Sequence, residues 1–119
     1  MNIVINNKIY EVELINGVTS KEIIEKSPLE LKLNRYVEHE YSGELPFTPK
    51  MDENTTSNVL AGHLYYWDGW NSFVINYEDL DISPYKVVDL GEIKDKGIVE
   101  VLENASENIN VRLESNNEK

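Results

Sequence analysis

Residues 60–77 read LAGHLYYWDGWNSFVINY, and this stretch decides the fold prediction. Two runs rich in aromatic and β-branched residues flank the segment Asp68-Gly69-Trp70-Asn71. An Asp-Gly pair between two such runs is a strong signal for a β-hairpin. The stretch therefore predicts two antiparallel strands joined by a tight turn.

The aromatic residues of this hairpin are the most informative local feature of the sequence. Successive residues of a strand point to opposite faces, so Tyr65 and Trp67 share one face and Tyr66 takes the other. One face of the hairpin is expected to pack into the core. The other either presents large amphipathic rings to a cleft, as in many ligand sites, or packs across the strands around the turn. Asp68 is the single Asp, Glu, Lys or Arg within residues 60–77.

Alternating apolar and polar residues predict further strands on both sides of this hairpin. Near the amino terminus, two short strands are joined at Asn6-Asn7-Lys8, because Asn tolerates the positive φ that tight turns require. The remaining strands are expected at residues 29–33, 39–45, 85–90 and 109–113.

Two short helices complete the predicted elements. Thr19-Ser20-Lys21-Glu22 has the form of a capping box, and Ser27-Pro28 ends the helix that follows. A second helix is predicted from Lys96 to Asn104, with Asp95 as its N-cap. About eight strands with two short helices are typical of small β-barrels. We expect one barrel domain over residues 1–114 and a polar tail at residues 115–119.

Composition excludes several classes of function. The chain has 119 residues, enough for one domain, with 22 Asp and Glu against 11 Lys and Arg and a formal net charge of −11. This balance argues against nucleic acids and anionic membrane surfaces as partners. The chain contains no Cys, which excludes disulfides, thiolate nucleophiles, zinc–thiolate sites and iron–sulfur clusters.

The amino-terminal residues predict a cytoplasmic location. Residues 1–8 lack the basic segment followed by an apolar segment that characterises a signal peptide. The sequence also contains no run approaching the roughly 18 apolar residues that a membrane-spanning helix requires.

No motif for metal, cofactor or nucleophilic chemistry stands out. Asp79 and Asp81 have the opening spacing of a calcium loop, but Pro84 and Leu90 occupy positions that need Gly and Glu. His39 with Glu40, and the distant His63, are weak evidence for a metal site. Paired carboxylates such as Glu11/Glu13 and Glu38/Glu40 are typical of a solvated strand face. The sequence has neither a Gly-x-Ser-x-Gly elbow nor a glycine-rich phosphate loop, so we expect no metal and no cofactor.

The hairpin carries a resemblance to a known family. Residues 60–67 followed by 72–75 resemble the corresponding segment of small, single-domain bacterial cyclophilin-like proteins, with His63 where that family usually has Asp. Residues 90–93, Leu-Gly-Glu-Ile, resemble the family's Leu-Gly-Arg-Ile, with Glu92 in place of Arg. Ser83-Pro84-Tyr85, Pro28-Leu29, Leu45-Pro46 and the acidic Glu40 also occur at family-like separation. The resemblance implies a closed antiparallel β-barrel of about eight strands, plugged at its ends by two helices.

The resemblance also implies prolyl isomerisation as a possible activity. Cyclophilins catalyse this reaction with an arginine that donates a hydrogen bond to the imide nitrogen of the twisted amide. The cyclophilin arginine segment has no clear match here, and Arg35 is the single arginine in the corresponding part of the chain. Ser72 and Val74 stand where cyclophilins have Gln and Phe. An active isomerase is therefore disfavoured.

The sequence thus predicts a non-enzymatic module that binds a peptide segment or small ligand in a cleft on one barrel face. Tyr65, Trp67, Trp70 and Arg35 are the candidate ligand-binding residues. One alternative is a weak or degenerate prolyl isomerase that uses Arg35, and a second is a structural module that self-associates through its aromatic patch. Whether the loop at residues 52–57 covers the cleft stays open.

Overall fold

The computed structural model describes residues 1–115, which form ten strands, two α-helices and one 3-10 turn at Asp68–Trp70. The helices are α1 Val18–Glu25 and α2 Ile98–Glu103. The strands are β1 Asn2–Ile5, β2 Lys8–Leu14, β3 Leu29–Tyr36, β4 Glu40–Glu44, β5 Asn58–Val59, β6 His63–Trp67, β7 Ser72–Asn76, β8 Leu80–Asp81, β9 Val88–Ile93 and β10 Asn108–Glu114. Apart from Ser115, the predicted polar tail lies outside the described residues.

Eight of these strands close into a barrel in the order β1-β10-β3-β4-β7-β6-β9-β2. Every pair of neighbours is antiparallel. The predicted fold, an eight-stranded antiparallel barrel with two short helices, is confirmed. The remaining strands, β5 and β8, pair with each other as a separate small sheet, which was not predicted because two-residue strands carry no alternation.

The core lies inside the barrel and follows from alternation along each strand. Leu29, Leu31 and Leu33 of β3 point inward and are buried. The helices add Ile23 from α1 and Leu102 from α2 to the same core. Neither helix in the described part of the chain has the length and apolar character needed to cross a membrane.

A smaller apolar cluster forms on the outside of the barrel, and we call it the outer cluster. Leu64 and Tyr66 of β6 point into the core, so the odd-numbered residues of that strand face outward. Residues from the small sheet region pack with them. The members of the outer cluster are Val59, Tyr65, Val74 and Val87, with Trp67 and Ile82 packed against them.

The predicted amino-terminal hairpin is confirmed. Ile5 pairs with Lys8, and the two residues between them, Asn6 and Asn7, have φ values of 48° and 74°. Positive φ at both central positions is the geometry that matches a two-residue turn to the twist of its strands.

The strand predicted over residues 85–90 is displaced in the structure. β9 begins at Val88 and continues through Gly91 to Ile93, beyond the predicted end of the strand at residue 90. Gly91 pairs with Leu14 on one side and Leu64 on the other, at a φ of 152°. A Cβ on Gly91 would lie 2.5 Å from the backbone oxygen of Glu13. Glycine therefore serves here to bring two strands close together rather than to end one.

Both predicted helix caps were wrong. α1 begins at Val18, and Asp52 Oδ2 accepts a hydrogen bond from the Val18 N–H at 3.2 Å. Thr19, predicted as the capping residue, lies inside the helix. Its hydroxyl donates to the Lys50 carbonyl at 2.7 Å and accepts from the Asp52 N–H at 2.8 Å. A loop remote in sequence thus satisfies the start of α1, which a local motif could not reveal.

At the second helix, the observed range is shorter than the predicted one. α2 begins at Ile98 with Gly97 in the N-cap position. Asp95 instead holds the turn before the helix, because its Oδ1 accepts from the Gly97 N–H at 2.9 Å and its carbonyl accepts from Ile98 N–H at 3.1 Å.

Candidate ligand-binding cleft

An open cavity of about 530 Å³ lies on the outer face of the barrel, and we call it the aromatic cleft. Its volume falls within the range of about 300 to 1,000 Å³ that is usual for ligand sites. Strands β3, β4, β6 and β7 and the segments beside the small sheet contribute to it. The lining residues are Tyr36, Val37, His39, Glu40, Val59, Tyr65, Trp67, Trp70, Val74, Asn76, Ile82, Tyr85 and Val87.

The floor of the aromatic cleft is apolar and belongs to the outer cluster. Tyr65 pairs with Val74 across β6 and β7, and both side chains are almost fully buried. The Tyr65 hydroxyl accepts a hydrogen bond from the Leu60 N–H at 2.8 Å, and burial raises the pKa of Tyr65. This buried, hydrogen-bonded ring gives the cleft a rigid base.

One wall of the cleft consists of three aromatic rings. Trp67 lies between the other two: its ring centroid is 6.2 Å from that of Trp70 and 5.8 Å from that of Tyr85, which meets it edge-on. Trp70 is 69% exposed and Tyr85 is 59% exposed. Large rings that remain exposed beside an open cavity are available to a ligand.

Asn71 stabilises the turn that carries Trp70. Asn71 adopts φ 49° and ψ 44°, the left-handed conformation that Asn tolerates better than most residues. Its side chain accepts a hydrogen bond from the Tyr66 hydroxyl at 2.6 Å and donates to the Phe47 carbonyl at 2.9 Å. A polar side chain within the hairpin turn therefore ties the aromatic wall to the loop after β4.

The opposite end of the cleft is polar and is formed by His39, Glu40 and Asn76. Glu40 and Asn76 are directly paired across β4 and β7. His39 Nδ1 lies 3.0 Å from Asn76 Oδ1 and 3.7 Å from Glu40 Oε1. Burial raises the pKa of Glu40, and the nearby His39 opposes this shift. The cleft thus combines an aromatic wall with a half-buried acidic group.

Of the four predicted ligand-binding residues, the structure brings three together. Tyr65, Trp67 and Trp70 all line the aromatic cleft. Arg35 does not line it, which corrects the prediction that it shares the cleft. Arg35 has the same parity on β3 as Leu33, so its side chain points toward the barrel interior, where it donates hydrogen bonds to the hydroxyls of Tyr41 and Tyr77.

Sequence reasoning missed the polar end and part of the wall. The sequence places Glu40 in a weak metal pattern with His39, in a carboxylate pair with Glu38 and at family-like spacing, but it does not indicate a ligand-binding role for Glu40, Asn76 or Tyr85. The available signal was strand parity, since Glu40 lies on the face of β4 opposite to the buried Tyr41. That Glu40 meets Asn76 follows from the pairing of β4 with β7, strands that are not consecutive in the chain.

The loop at residues 52–57 does not line the cleft. Asp52 is held at the start of α1, and the backbone of Thr56 pairs with that of Val87. The loop therefore borders the cleft at Thr56 and does not cover it.

The two histidines make separate contacts. His39 belongs to the polar end of the cleft, whereas His63 Nδ1 lies 3.0 Å from Asp89 Oδ2. His63 does not line the cleft. Among residues 1–115, no group of three or more His, Asp or Glu side chains is arranged to hold a metal ion.

The closed eight-stranded antiparallel barrel with two short helices is consistent with a cyclophilin-like fold. The model of the Cyclophilin-like family matches residues 3–114, so the chain belongs to the Cyclophilin-like family. The resemblance noted in the sequence is therefore confirmed.

A solved structure supports the fold independently. The chain is similar to a hypothetical protein from Archaeoglobus fulgidus whose solution structure is known, with a TM-score of 0.70 and 21% identity. The match covers 95% of this chain and 91% of the archaeal chain. No match was found among curated proteins.

Proposed function

We propose that this protein is a non-enzymatic binding module that takes a peptide segment or small ligand in the aromatic cleft. The observation that carries the proposal is the grouping of Trp67, Trp70 and Tyr85 beside a cavity of about 530 Å³. Amphipathic rings around an open cavity bury apolar ligand surface and retain polar edges for hydrogen bonds.

The composition of the lining favours binding over prolyl isomerisation. Stabilising a twisted prolyl amide requires a donor aimed at the reacting group. The lining residues within the described chain include no Arg or Lys. The isomerase hypothesis relied on Arg35, whose guanidinium is engaged by Tyr41 and Tyr77 in the interior.

Tryptophan fluorescence offers a direct test, because the two Trp residues of the chain both line the cleft. Proline-containing peptides should change the emission and shift the two indole N–H signals in NMR. Trp70→Ala should weaken binding about tenfold, because it removes a large aromatic contact with the ligand. The matched control is Ile9→Ala, which removes an exposed side chain of β2 outside the cleft, and its affinity should equal that of wild type.

Two results would count against this proposal. One is a set of amide shifts scattered over the surface without a cluster at Trp67 and Trp70. The other is an equal loss of affinity in Trp70→Ala and Ile9→Ala.

Self-association is the second candidate function, and exposed apolar side chains at the rim of the cleft favour it. Tyr36, Val37, Trp70 and Tyr85 are each more than half exposed. Such a patch can be covered by a second copy of the chain. Sedimentation of wild type, Trp70→Ala and Ile9→Ala separates the candidates, because an interface predicts a lower mass for Trp70→Ala alone, and a monomeric binder predicts one mass for all three.

A further inference from the structure

The carboxylate of Glu40 lies at the polar end of the aromatic cleft. Its side chain is 15% exposed, and it receives no hydrogen bond from any donor in residues 1–115. The ring of His39 is its neighbour, with Nδ1 at 3.7 Å from Oε1, beyond hydrogen-bond distance. A mostly buried carboxylate that no protein donor reaches is costly to keep charged, and a ligand that donates hydrogen bonds would offset this cost.

The groups beside Glu40 are also oriented as acceptors. Asn76 Nδ2 donates to the Glu78 carbonyl at 2.7 Å, which leaves Asn76 Oδ1 as the acceptor for His39 Nδ1–H at 3.0 Å. In the neutral imidazole, this assignment makes Nε2 an acceptor as well. The polar end of the cleft therefore calls for a ligand group that donates hydrogen bonds.

The rest of the cleft favours a donor that is positively charged. The electron-rich faces of Trp and Tyr attract cations, most strongly where water is excluded. No Lys or Arg among the lining residues in the described chain competes for Glu40 or for the rings. The net charge of −11 adds a long-range attraction for cations.

The register of the sheet sets the length of such a ligand. Three successive pairs of outward-facing residues on neighbouring strands follow one another along the floor of the cleft. They are Glu40 with Asn76, Tyr65 with Val74, and Trp67 with Ser72. Successive pairs are two residues apart along a strand. The first and third pairs, marked by Asn76 and Ser72 on β7, are therefore about 13 Å apart at roughly 3.3 Å per residue. A ligand that contacts both ends of the cleft is therefore elongated.

We propose that the aromatic cleft selects an elongated organic cation, whose ammonium or guanidinium group pairs with Glu40 while its apolar body lies along Tyr65 and Trp67. This inference rests on the proposed binding function and specifies the class of ligand. A free amine and a basic side chain within a peptide share this chemistry. The experiment below distinguishes the two sources.

The first measurement compares probes of one shape and different charge. 4-Phenylbutylamine, 4-phenylbutanol and 4-phenylbutyrate would each be titrated against the protein, with tryptophan fluorescence and indole N–H shifts as the signals. We expect the amine to bind about tenfold more tightly than the alcohol, since a charge-assisted hydrogen bond replaces a neutral one. The carboxylate should bind most weakly.

The second measurement locates the charge selectivity in the protein. Glu40→Gln should abolish the preference for amine over alcohol. Glu44→Gln is the matched control, because it makes the same change at an exposed end of the same strand, outside the cleft. If long-range charge alone attracted the cation, both variants would lose the same small part of the preference, and the proposal would be overturned.

Peptide probes then identify the source of the cation. A tetrapeptide containing Lys and Trp would be compared with one in which norleucine replaces Lys. A Lys-dependent gain that exceeds the gain of the amine over the alcohol indicates a basic peptide, and the reverse order indicates a small amine. Either result supports a cation site.

The cation selectivity and the underlying binding function would be contradicted by different results. If the alcohol binds as tightly as the amine at Trp67 and Trp70, the cleft still binds ligands and the selection of a cation is wrong. If neither the phenylbutyl compounds nor the tetrapeptides perturb the two indole signals, the binding function itself is contradicted.

Discussion

The guanidinium of Arg35 lies over the ring of Tyr41, 4.9 Å from its centroid, and donates a hydrogen bond to the Tyr41 hydroxyl at 2.7 Å. Both side chains then reach the segment after α2. Arg35 donates to the Ala105 carbonyl at 2.7 Å, and Tyr41 donates to the Ser106 carbonyl at 2.6 Å. Glu107 adds an ion pair, 3.3 Å from Arg35 Nε, although the geometry is not that of a hydrogen bond. The arginine singled out for catalysis therefore satisfies backbone carbonyls at a helix end.

Arg35→Ala should lower the free energy of unfolding by about 3 kcal/mol, because it leaves buried carbonyl and hydroxyl groups without their charged donor. Urea denaturation would measure this loss. Arg112→Ala is the matched control, since Arg112 pairs with Glu30 and Glu114 on the surface, and its loss should be much smaller. Ligand affinity at the aromatic cleft should be unchanged in folded Arg35→Ala. A large decrease in affinity would show that Arg35 takes part in ligand binding.

Substitutions at Asn71 should separate backbone conformation from hydrogen bonding. Asn71→Ala loses the bonds to Tyr66 and Phe47 and places Ala at a positive φ, whereas Asn71→Gly loses the bonds alone. Asn71→Gly should therefore be about 2 kcal/mol less stable than wild type, and Asn71→Ala about 1 kcal/mol less stable than Asn71→Gly. Thermal unfolding would give the order, and equal stability of the two variants would contradict it.

The pair of His63 and Asp89 should make stability depend on pH. The hydrogen bond that His63 donates to the Asp89 carboxylate is the largest cause that raises the pKa of His63. Burial and Lys96 lower this pKa, whereas the charges of Asp89 and Glu92 raise it further. A raised folded-state pKa stabilises the fold fully below the unfolded value of about 6.5, and the stabilisation disappears as pH rises through the folded-state value.

Urea unfolding of wild type and His63→Gln from about pH 5.5 to about pH 8.5 would test this dependence. The stability difference between the two proteins should be largest at the acidic end and shrink toward the alkaline end. Asp89→Asn should flatten the difference, and a difference that grows with pH would refute the assignment.

Glu40 should be a residue whose charge reduces stability. Burial raises the pKa of Glu40, so the folded state disfavours the charged form. Stability should then fall as pH rises from the unfolded-state pKa through the folded-state pKa. We expect Glu40→Gln to be more stable than wild type near pH 7, with the advantage vanishing in acid, where both side chains are neutral. Parallel unfolding of Glu44→Gln supplies the control, and the same gain there would indicate relief of overall negative charge instead.

Local patterns predicted the elements of the fold that depend on neighbouring residues. The turn at Asn6 and Asn7 and the outward direction of Tyr65 and Trp67 follow from backbone preference and from the two-residue period of a strand. Arg35 lies beyond the predicted strand at residues 29–33, and the period gives its inward direction only because β3 continues to Tyr36. Arg35 was predicted to bind ligand in the cleft because it stands in the part of the chain that corresponds to the cyclophilin arginine segment, and the structure corrects this prediction.

Other features depend on contacts between segments far apart in the chain. Asp52 caps α1 from a distant loop, and Glu40 meets Asn76 through the pairing of β4 with β7. Strands β5 and β8 have two residues each and are stabilised by each other and by the outer cluster. No local period or motif encodes such contacts.

The sequence by itself determined an acidic, cysteine-free antiparallel barrel and the aromatic hairpin that forms one wall of its cleft, because alternation and turn chemistry act over a few residues. The tertiary structure alone decided that the cleft has an acidic end at Glu40 and that Arg35 belongs to the interior contacts of α2. The physical reason is that a site on a barrel face is assembled across strands, whose order and register are settled only when the barrel closes.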